Sequence, residues 1–172
     1  VFEGIRALRG AIGSKVSLTI IRDNPNDPHV VELTREAVPT TDVTARIASP
    51  GVGYVRIAAV GPRTADQVKT QVADLTKAGA ASLIVDVRRT AGGALDDGLA
   101  VARLFVAKGT LAMREGKGTE RQIISTASGD GAVTVPAVLL IDTGTTGAAE
   151  LFAAALSGNQ RAELIGERTI GR

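Results

Sequence analysis

The order of apolar and polar residues divides the chain into two regions. In the first region, residues 15–22 and 29–35 alternate apolar and polar side chains, which is typical of half-buried strands. Residues 23–28 between them are Asp, Asn and Pro, a dense turn signal. We therefore predict a β-hairpin within residues 1–37. Residues 38–50 are polar and contain two prolines, and we predict that they form a linker.

From residue 51 onward, segments typical of strands and helices follow one another. Four short apolar segments predict strands: 53–57, 82–87, 135–141 and 163–165. Three segments with apolar residues at helical spacing predict helices: 64–79, 95–109 and 148–156. Thr64 and Gln67 have the spacing of a capping box at the start of the first helix. This order predicts an α/β layered domain with a mostly parallel sheet.

Residues 109–134 are rich in Gly, Thr and Ser and fit either additional strands or a mobile loop. Aromatic residues make up only 2% of the chain, so its core must be built from Val, Leu, Ile and Ala.

The composition of the chain excludes several kinds of functional site. With no cysteine and one histidine, the chain has no thiol nucleophile, and its acidic residues lack metal-ligand spacing. We therefore expect no metal and no cofactor. The net charge is +2 without a block of Lys and Arg, which argues against dedicated nucleic-acid binding. No apolar run approaches the ~20 residues of a membrane-spanning helix.

Two strand-to-helix junctions, residues 86–93 and 142–150, carry the strongest site signal. Both are rich in glycine, which lets the backbone approach a ligand and turn its amides outward. Both follow predicted parallel strands, and ligands bind at the carboxyl ends of such strands. The amides could form an oxyanion hole. Alternatively, the glycines only make tight turns, and the spacing alone leaves both interpretations open.

Few side chains offer a nucleophile. His29 lies in the hairpin region, away from the α/β region, so a Ser-His-Asp triad is not expected. Thr145 and Thr146 carry hydroxyls at the second junction. N-capping of the following helix is the favoured interpretation for both, and a substitute nucleophile is the alternative. For Asp86 and Asp142 we favour structural hydrogen bonding.

Several segments resemble, in order, the C-terminal processing (tail-specific) peptidase family. Residues 53–57 are similar to its Gly-Tyr-Ile-Arg-Ile strand, and residues 83–93 to its Leu-Asp-Leu-Arg-Gly-Asn-Pro-Gly-Gly segment. Residues 144–156 are similar to its Ser-Ala-Ser-Ala-Ser-Glu segment and helix, and residues 166–171 to its Gly-Glu-Arg-Thr-Phe-Gly. The resemblance implies a crotonase/Clp-protease-like core over residues 51–172. Segments within residues 1–37 similarly resemble the second half of a PDZ-like domain.

The family's catalytic positions are substituted in this chain. Its nucleophilic serine aligns with Gly147 and its general-base lysine with Arg172. Glycine has no hydroxyl, and arginine stays protonated, so it is a poor base. The resemblance places the oxyanion-hole amides at Gly93 and Ala148. By family the chain is a serine-type endopeptidase, and the substitutions imply weak or no proteolysis.

Two alternatives remain open. The chain could be a pseudoprotease that serves as a peptide-binding scaffold or adaptor, or an unrelated α/β enzyme acting on an acyl thioester. The resemblance implies polypeptide substrates or protein C-termini as partners, allows a homo-oligomer, and implies export to the periplasm or cell envelope. Because the chain stops inside the last motif, we expect further sequence beyond its ends.

Overall fold

The computed structural model describes residues 8, 10–22, 27–36 and 42–171, except for the side chain of residue 119. The chain forms two units, Val1–Thr40 and Thr41–Arg172. In the first, β1 (Lys15–Ile20) pairs antiparallel with β2 (His29–Thr34). The two strands of the predicted hairpin are confirmed. Residues 23–26 of the predicted turn lie outside the described residues, and the PDZ-like assignment of this unit stays a prediction.

The second unit contains a five-stranded sheet, three helices and a small hairpin within the described residues. Its strands are β3 (Val43–Ser49), β4 (Val52–Ile57), β5 (Ser82–Asp86), β6 (Thr110–Gly116), β7 (Thr119–Ser125), β8 (Ala137–Ile141) and β9 (Ala162–Gly166). Its helices are α1 (Thr64–Lys77), α2 (Leu95–Phe105) and α3 (Ala148–Gly158). The sheet order is β3-β4-β5-β8-β9, and only β3 runs antiparallel to its neighbour. The predicted α/β core with a mostly parallel sheet is confirmed.

Alternate strand residues build the core. Val55 and Ile57 of β4 are fully buried, whereas Tyr54 and Arg56, which alternate with them, are only half-buried. The helices supply the other half of the core, and the rings of Phe105 on α2 and Phe152 on α3 lie 5.5 Å apart. The sheet therefore buries one face under helices and keeps polar groups on the other.

Two sequence predictions need correction. The linker predicted over residues 38–50 is wrong for Val43–Ser49, which form β3, and residues 38–41 lie outside the described residues. The capping box at Thr64 is also wrong. The chain enters α1 through a turn in which the Thr64 amide donates to the Gly61 carbonyl at 3.0 Å. The Thr64 hydroxyl accepts from the Gly61 amide at 2.9 Å, so it binds the turn and leaves the helix uncapped by a side chain.

Residues 109–134 include additional strands. β6 and β7 pair antiparallel and form a separate two-stranded sheet. Of the two alternatives for this stretch, the structure supports strands.

Candidate active site

Two loops meet at the carboxyl ends of β5 and β8, which are neighbouring parallel strands. The β5 loop comprises residues 87–94 and the β8 loop residues 142–147. The Arg89 amide donates to Oδ1 of Asp142 at 2.8 Å, and the Thr146 amide donates to the Thr90 carbonyl at 3.0 Å. The parallel pairing thus brings together the two junctions that the sequence singles out, and backbone amides hold them in contact.

Gly147 forms a sharp turn between β8 and α3. It is the residue that precedes α3, with φ 61° and ψ −124°. A strained strand-to-helix turn of this kind exposes the nucleophile in hydrolases that use a nucleophile elbow. A Cβ placed on Gly147 would lie 3.5 Å from the Gly92 carbonyl oxygen and 3.8 Å from its nitrogen, both ordinary contacts. The position therefore has room for a side chain facing the β5 loop, although its positive φ favours glycine.

The two amides expected to form an oxyanion hole belong to Gly93, in the β5 loop, and to Ala148, directly after this turn. Gly93 has φ 84°, and a Cβ there would overlap the Val60 carbonyl oxygen, so only glycine fits. Ala148 is the first residue of α3 and is fully buried. Neither amide donates a hydrogen bond to a described residue. That they converge on one point stays a prediction.

The two threonines of the β8 loop differ in their environment. Thr145 is fully buried, and its hydroxyl donates to the Val87 carbonyl at 2.8 Å while it accepts from the Asp142 amide at 3.1 Å. These bonds tie the β8 loop to the end of β5. The predicted N-cap role is wrong for Thr145, because Gly147 precedes the helix and no side chain caps it. The same bonds argue against Thr145 as a substitute nucleophile.

Thr146 is half-buried and its side chain stays a candidate hydroxyl, although it does not cap α3 either. Arg172, at the family's general-base position, lies outside the described residues. The residue before it is held close to the turn, because the Gly171 amide donates to Oε1 of Glu150 at 2.8 Å. Glu150 lies in the first turn of α3, so the chain leading to Arg172 returns to the start of this helix.

Asp86 and Asp142, at the two junctions, form hydrogen bonds that stabilise the loops. Burial alone would raise the pKa of Asp86, but hydrogen bonds from Arg88 and Tyr54 lower it to about 2. The Arg88 guanidinium contacts both carboxylate oxygens, at 2.9 and 2.7 Å, and the Tyr54 hydroxyl donates at 2.6 Å. Hydrogen bonds from the amides of Arg89 and Gly144 lower the pKa of Asp142. Within the described part of the chain, no three His, Cys, Asp or Glu side chains form a group suited to a metal ion.

Arg56 is a site residue that sequence reasoning misses. Its Nη1 donates to the carbonyls of Ile57 and Asp86 at 2.6 and 2.9 Å, and its Nη2 donates to the Arg88 carbonyl at 2.6 Å. The same Nη1 also reaches the Thr90 hydroxyl at 3.0 Å. One guanidinium therefore fixes the β5 loop to the ends of two strands. The sole arginine in an otherwise apolar strand is the signal that could have indicated it.

Glycine-rich loops beside a strained strand-to-helix turn, at the carboxyl ends of parallel strands, are the arrangement that α/β hydrolase folds use to build their sites. The chain belongs to peptidase family S41, whose family model matches residues 51–172. The family resemblance seen in the sequence is thereby confirmed.

Individual relatives are carboxyl-terminal processing proteases. The chain is 34% identical over 175 residues to the carboxyl-terminal-processing protease of Synechocystis sp., covering 99% of this chain and 40% of that protein. It is 31% identical over 173 residues to the carboxy-terminal processing protease CtpA of Bacillus subtilis, covering 100% of this chain and 37% of that protein. The solved photosystem II D1 C-terminal processing protease superposes with a TM-score of 0.74 at 30% identity, covering 98% of this chain and 47% of that one. The chain spans less than half the length of each of these three proteins.

Among the described residues, no helix has both the length and the apolar character that crossing a bilayer requires.

Proposed function

We propose that this chain is the core of a module that binds polypeptide C-termini and hydrolyses them weakly or not at all. The names of its relatives support polypeptide C-termini as the ligand class. Gly147 carries the second half of the proposal. It occupies the turn where a nucleophile would stand and has no side chain to supply one.

The expected lack of turnover follows from the groups that the described residues place in the site: two backbone amides are present, but an activated hydroxyl is not. A peptide carbonyl bound beside Gly93 and Ala148 would meet two unpaired amides, which stabilise negative charge on its oxygen. Attack on that carbonyl needs an activated hydroxyl, and Thr145 has committed its hydroxyl to Val87. Removing a member of a catalytic triad leaves only the contribution of the oxyanion hole and of binding. We therefore expect binding with little turnover.

A direct test measures binding and cleavage on the same peptides. A fluorescent peptide with a free C-terminus is titrated with the full-length protein, and the mixture is then incubated and analysed by mass spectrometry. We expect saturable binding and no products. Cleavage that Thr146→Ala abolishes would show that Thr146 is the nucleophile and would contradict the non-hydrolytic proposal. Absence of binding by any tested peptide would contradict the binding role.

A gain-of-function experiment tests the role of the substituted positions. Gly147→Ser combined with Arg172→Lys restores the family's serine and lysine. Because a Cβ at residue 147 makes no contact shorter than 3.5 Å, the seryl side chain should fit. We expect hydrolysis above the wild-type level. Gly147→Ala with Arg172→Lys is the matched control, since it carries the same backbone strain without a hydroxyl. A folded Ser/Lys variant that binds peptides but never cleaves them would show that these two positions are not the reason for inactivity.

We further propose that the protein is exported to the periplasm or cell envelope. The support is the family resemblance alone. Fractionation of the source cells should recover it outside the cytosol, and exclusive recovery in the cytosolic fraction would contradict this assignment.

A further inference from the structure

A cationic cavity lies beside the β5 loop, at the carboxyl ends of β4 and β5. Its volume is about 410 Å³, and it is lined by Tyr54, Arg56, Asp86, Arg88, Arg89 and Asp142. A neighbouring cavity of about 470 Å³ shares Arg88, Arg89 and Asp142 with it. Neither cavity is lined by Gly93 or Ala148, the predicted oxyanion-hole residues.

Three arginines and two aspartates line the first cavity, and most of these charged groups are already hydrogen-bonded within the protein. Arg56 is held by backbone carbonyls, and the Asp86 carboxylate is saturated by Tyr54 and Arg88. The Asp142 carboxylate accepts from the amides of Arg89 and Gly144. The group left over is the Arg89 guanidinium. It is near enough to Asp142 to lower the pKa of that carboxyl group, yet it donates no hydrogen bond to a described residue.

Arg88 stands beside it with part of its guanidinium free for a ligand. Its Nε and Nη2 contact Asp86, while its side chain remains 52% exposed. The two consecutive arginines therefore present unused N–H donors and positive charge to the cavity. Planar guanidinium groups match carboxylate geometry and bind it through paired hydrogen bonds.

The backbone of Arg89 is strained. Its φ of 55° lies in the left-handed region, which arginine rarely adopts and which costs about 1–3 kcal/mol. Two hydrogen bonds hold this conformation: the Arg89 amide donates to Asp142, and the Thr146 amide donates to the Thr90 carbonyl. A residue kept in a strained conformation although glycine would fit the backbone indicates that its side chain has a use.

We propose that Arg88 and Arg89 bind the terminal carboxylate of a polypeptide, an inference that rests on the proposed function. Residues 89 and 93 are four positions apart, so their Cα atoms are at most ~14 Å from each other. An extended peptide covers that distance in about four residues. A peptide whose carboxylate is held at Arg89 thus presents to Gly93 a carbonyl within about four residues of its C-terminus.

The test compares one fluorescent decapeptide in two forms, with a free C-terminal carboxylate and with a C-terminal amide. The full-length wild-type protein should bind the acid at least ~10-fold more tightly than the amide, as expected for a charge-assisted hydrogen bond. Arg89→Gly removes the guanidinium and relieves the positive φ, so it should abolish the preference without lowering the melting temperature. Arg114→Gln is the matched control, because it removes one charge from an exposed position on β6 and should keep the preference.

Other results of this binding experiment would contradict either the carboxylate site or the proposed function. Equal affinity for both peptides, or a preference that survives in Arg89→Gly, overturns the carboxylate site and leaves peptide binding intact. Failure to bind either peptide overturns the proposed function, and the carboxylate site falls with it. Sodium acetate is compared with sodium chloride at the same ionic strength. Displacement of the acid peptide by acetate at peptide-like concentrations would show a site for small free anions, which overturns the assignment to a polypeptide.

Discussion

Two neighbouring glycines of the β5 loop allow the cost of a strained backbone to be measured separately from the cost of a steric overlap. Gly92 and Gly93 have nearly the same positive φ, 82° and 84°. An alanine at either position therefore costs about 1–2 kcal/mol for its left-handed conformation. A Cβ on Gly92 meets no atom within 4 Å, whereas a Cβ on Gly93 overlaps the carbonyl oxygen of Val60 and lies 3.2 Å from its Cβ. This backbone cannot rotate away as a side chain would.

We therefore expect Gly92→Ala to lower the free energy of unfolding by about 1–2 kcal/mol. Gly93→Ala should lower it by an additional ~1–3 kcal/mol, the usual range for overpacking. It should also weaken peptide binding, because relief of the overlap moves the Gly93 amide. Urea unfolding of both variants, followed by circular dichroism, measures the difference. Equal losses of stability in the two variants would refute the close approach of Gly93 to Val60.

Two further predictions concern the residues around the loop. Arg56→Met should lower the free energy of unfolding by about 2–4 kcal/mol, because the carbonyls of Ile57, Asp86 and Arg88 lose a charged donor. Arg46→Met should lower it by under about 1 kcal/mol, because Arg46 lies over the Tyr54 ring. Equal losses of stability in urea unfolding would contradict this difference. The pKa of Asp86 drops from 3.8 to about 2 on folding, so its charge should stabilise the protein by roughly 2 kcal/mol above pH 3.8. The stability difference from Asp86→Asn should shrink as pH falls toward about 2, and a pH-independent difference would contradict the assignment.

The parts of the fold that the sequence predicts are those with strong periodic patterns. The apolar runs of β5 and β8 and the spacing of Val68, Val72 and Leu75 on α1 leave little choice of element, and all three of these α1 residues are buried. The sequence does not predict β3, because this strand lies at one end of the described sheet, pairs only with β4, and exposes most of its residues. A strand buried on few sides has no need of an apolar pattern, so its sequence resembles a polar connection.

The sequence predicts that the two glycine-rich loops lie together, but it does not predict the contacts of their side chains. Glycine-rich junctions after apolar strands can be recognised in the sequence, because parallel strands bring their carboxyl ends together. Local sequence cannot predict the contact of the Thr145 hydroxyl, because its partner, the Val87 carbonyl, belongs to a distant part of the chain. The role of Arg56 is hidden from local sequence for the same reason, since its acceptors are carbonyls whose positions depend on the assembled sheet.

The contacts between the two loops are made largely through the main chain. The Thr146 amide donates to the Thr90 carbonyl, the Arg89 amide donates to Asp142, and Arg56 contacts carbonyls. The fully buried Thr90 hydroxyl also donates to the Ile57 carbonyl, but the bonds between the two loops do not depend on the side chains at residues 89 or 146. Mutations at these positions can therefore change what the loops recognise while the loop geometry is preserved. The side chains that face a ligand can therefore vary without loss of the junction between the β5 and β8 loops.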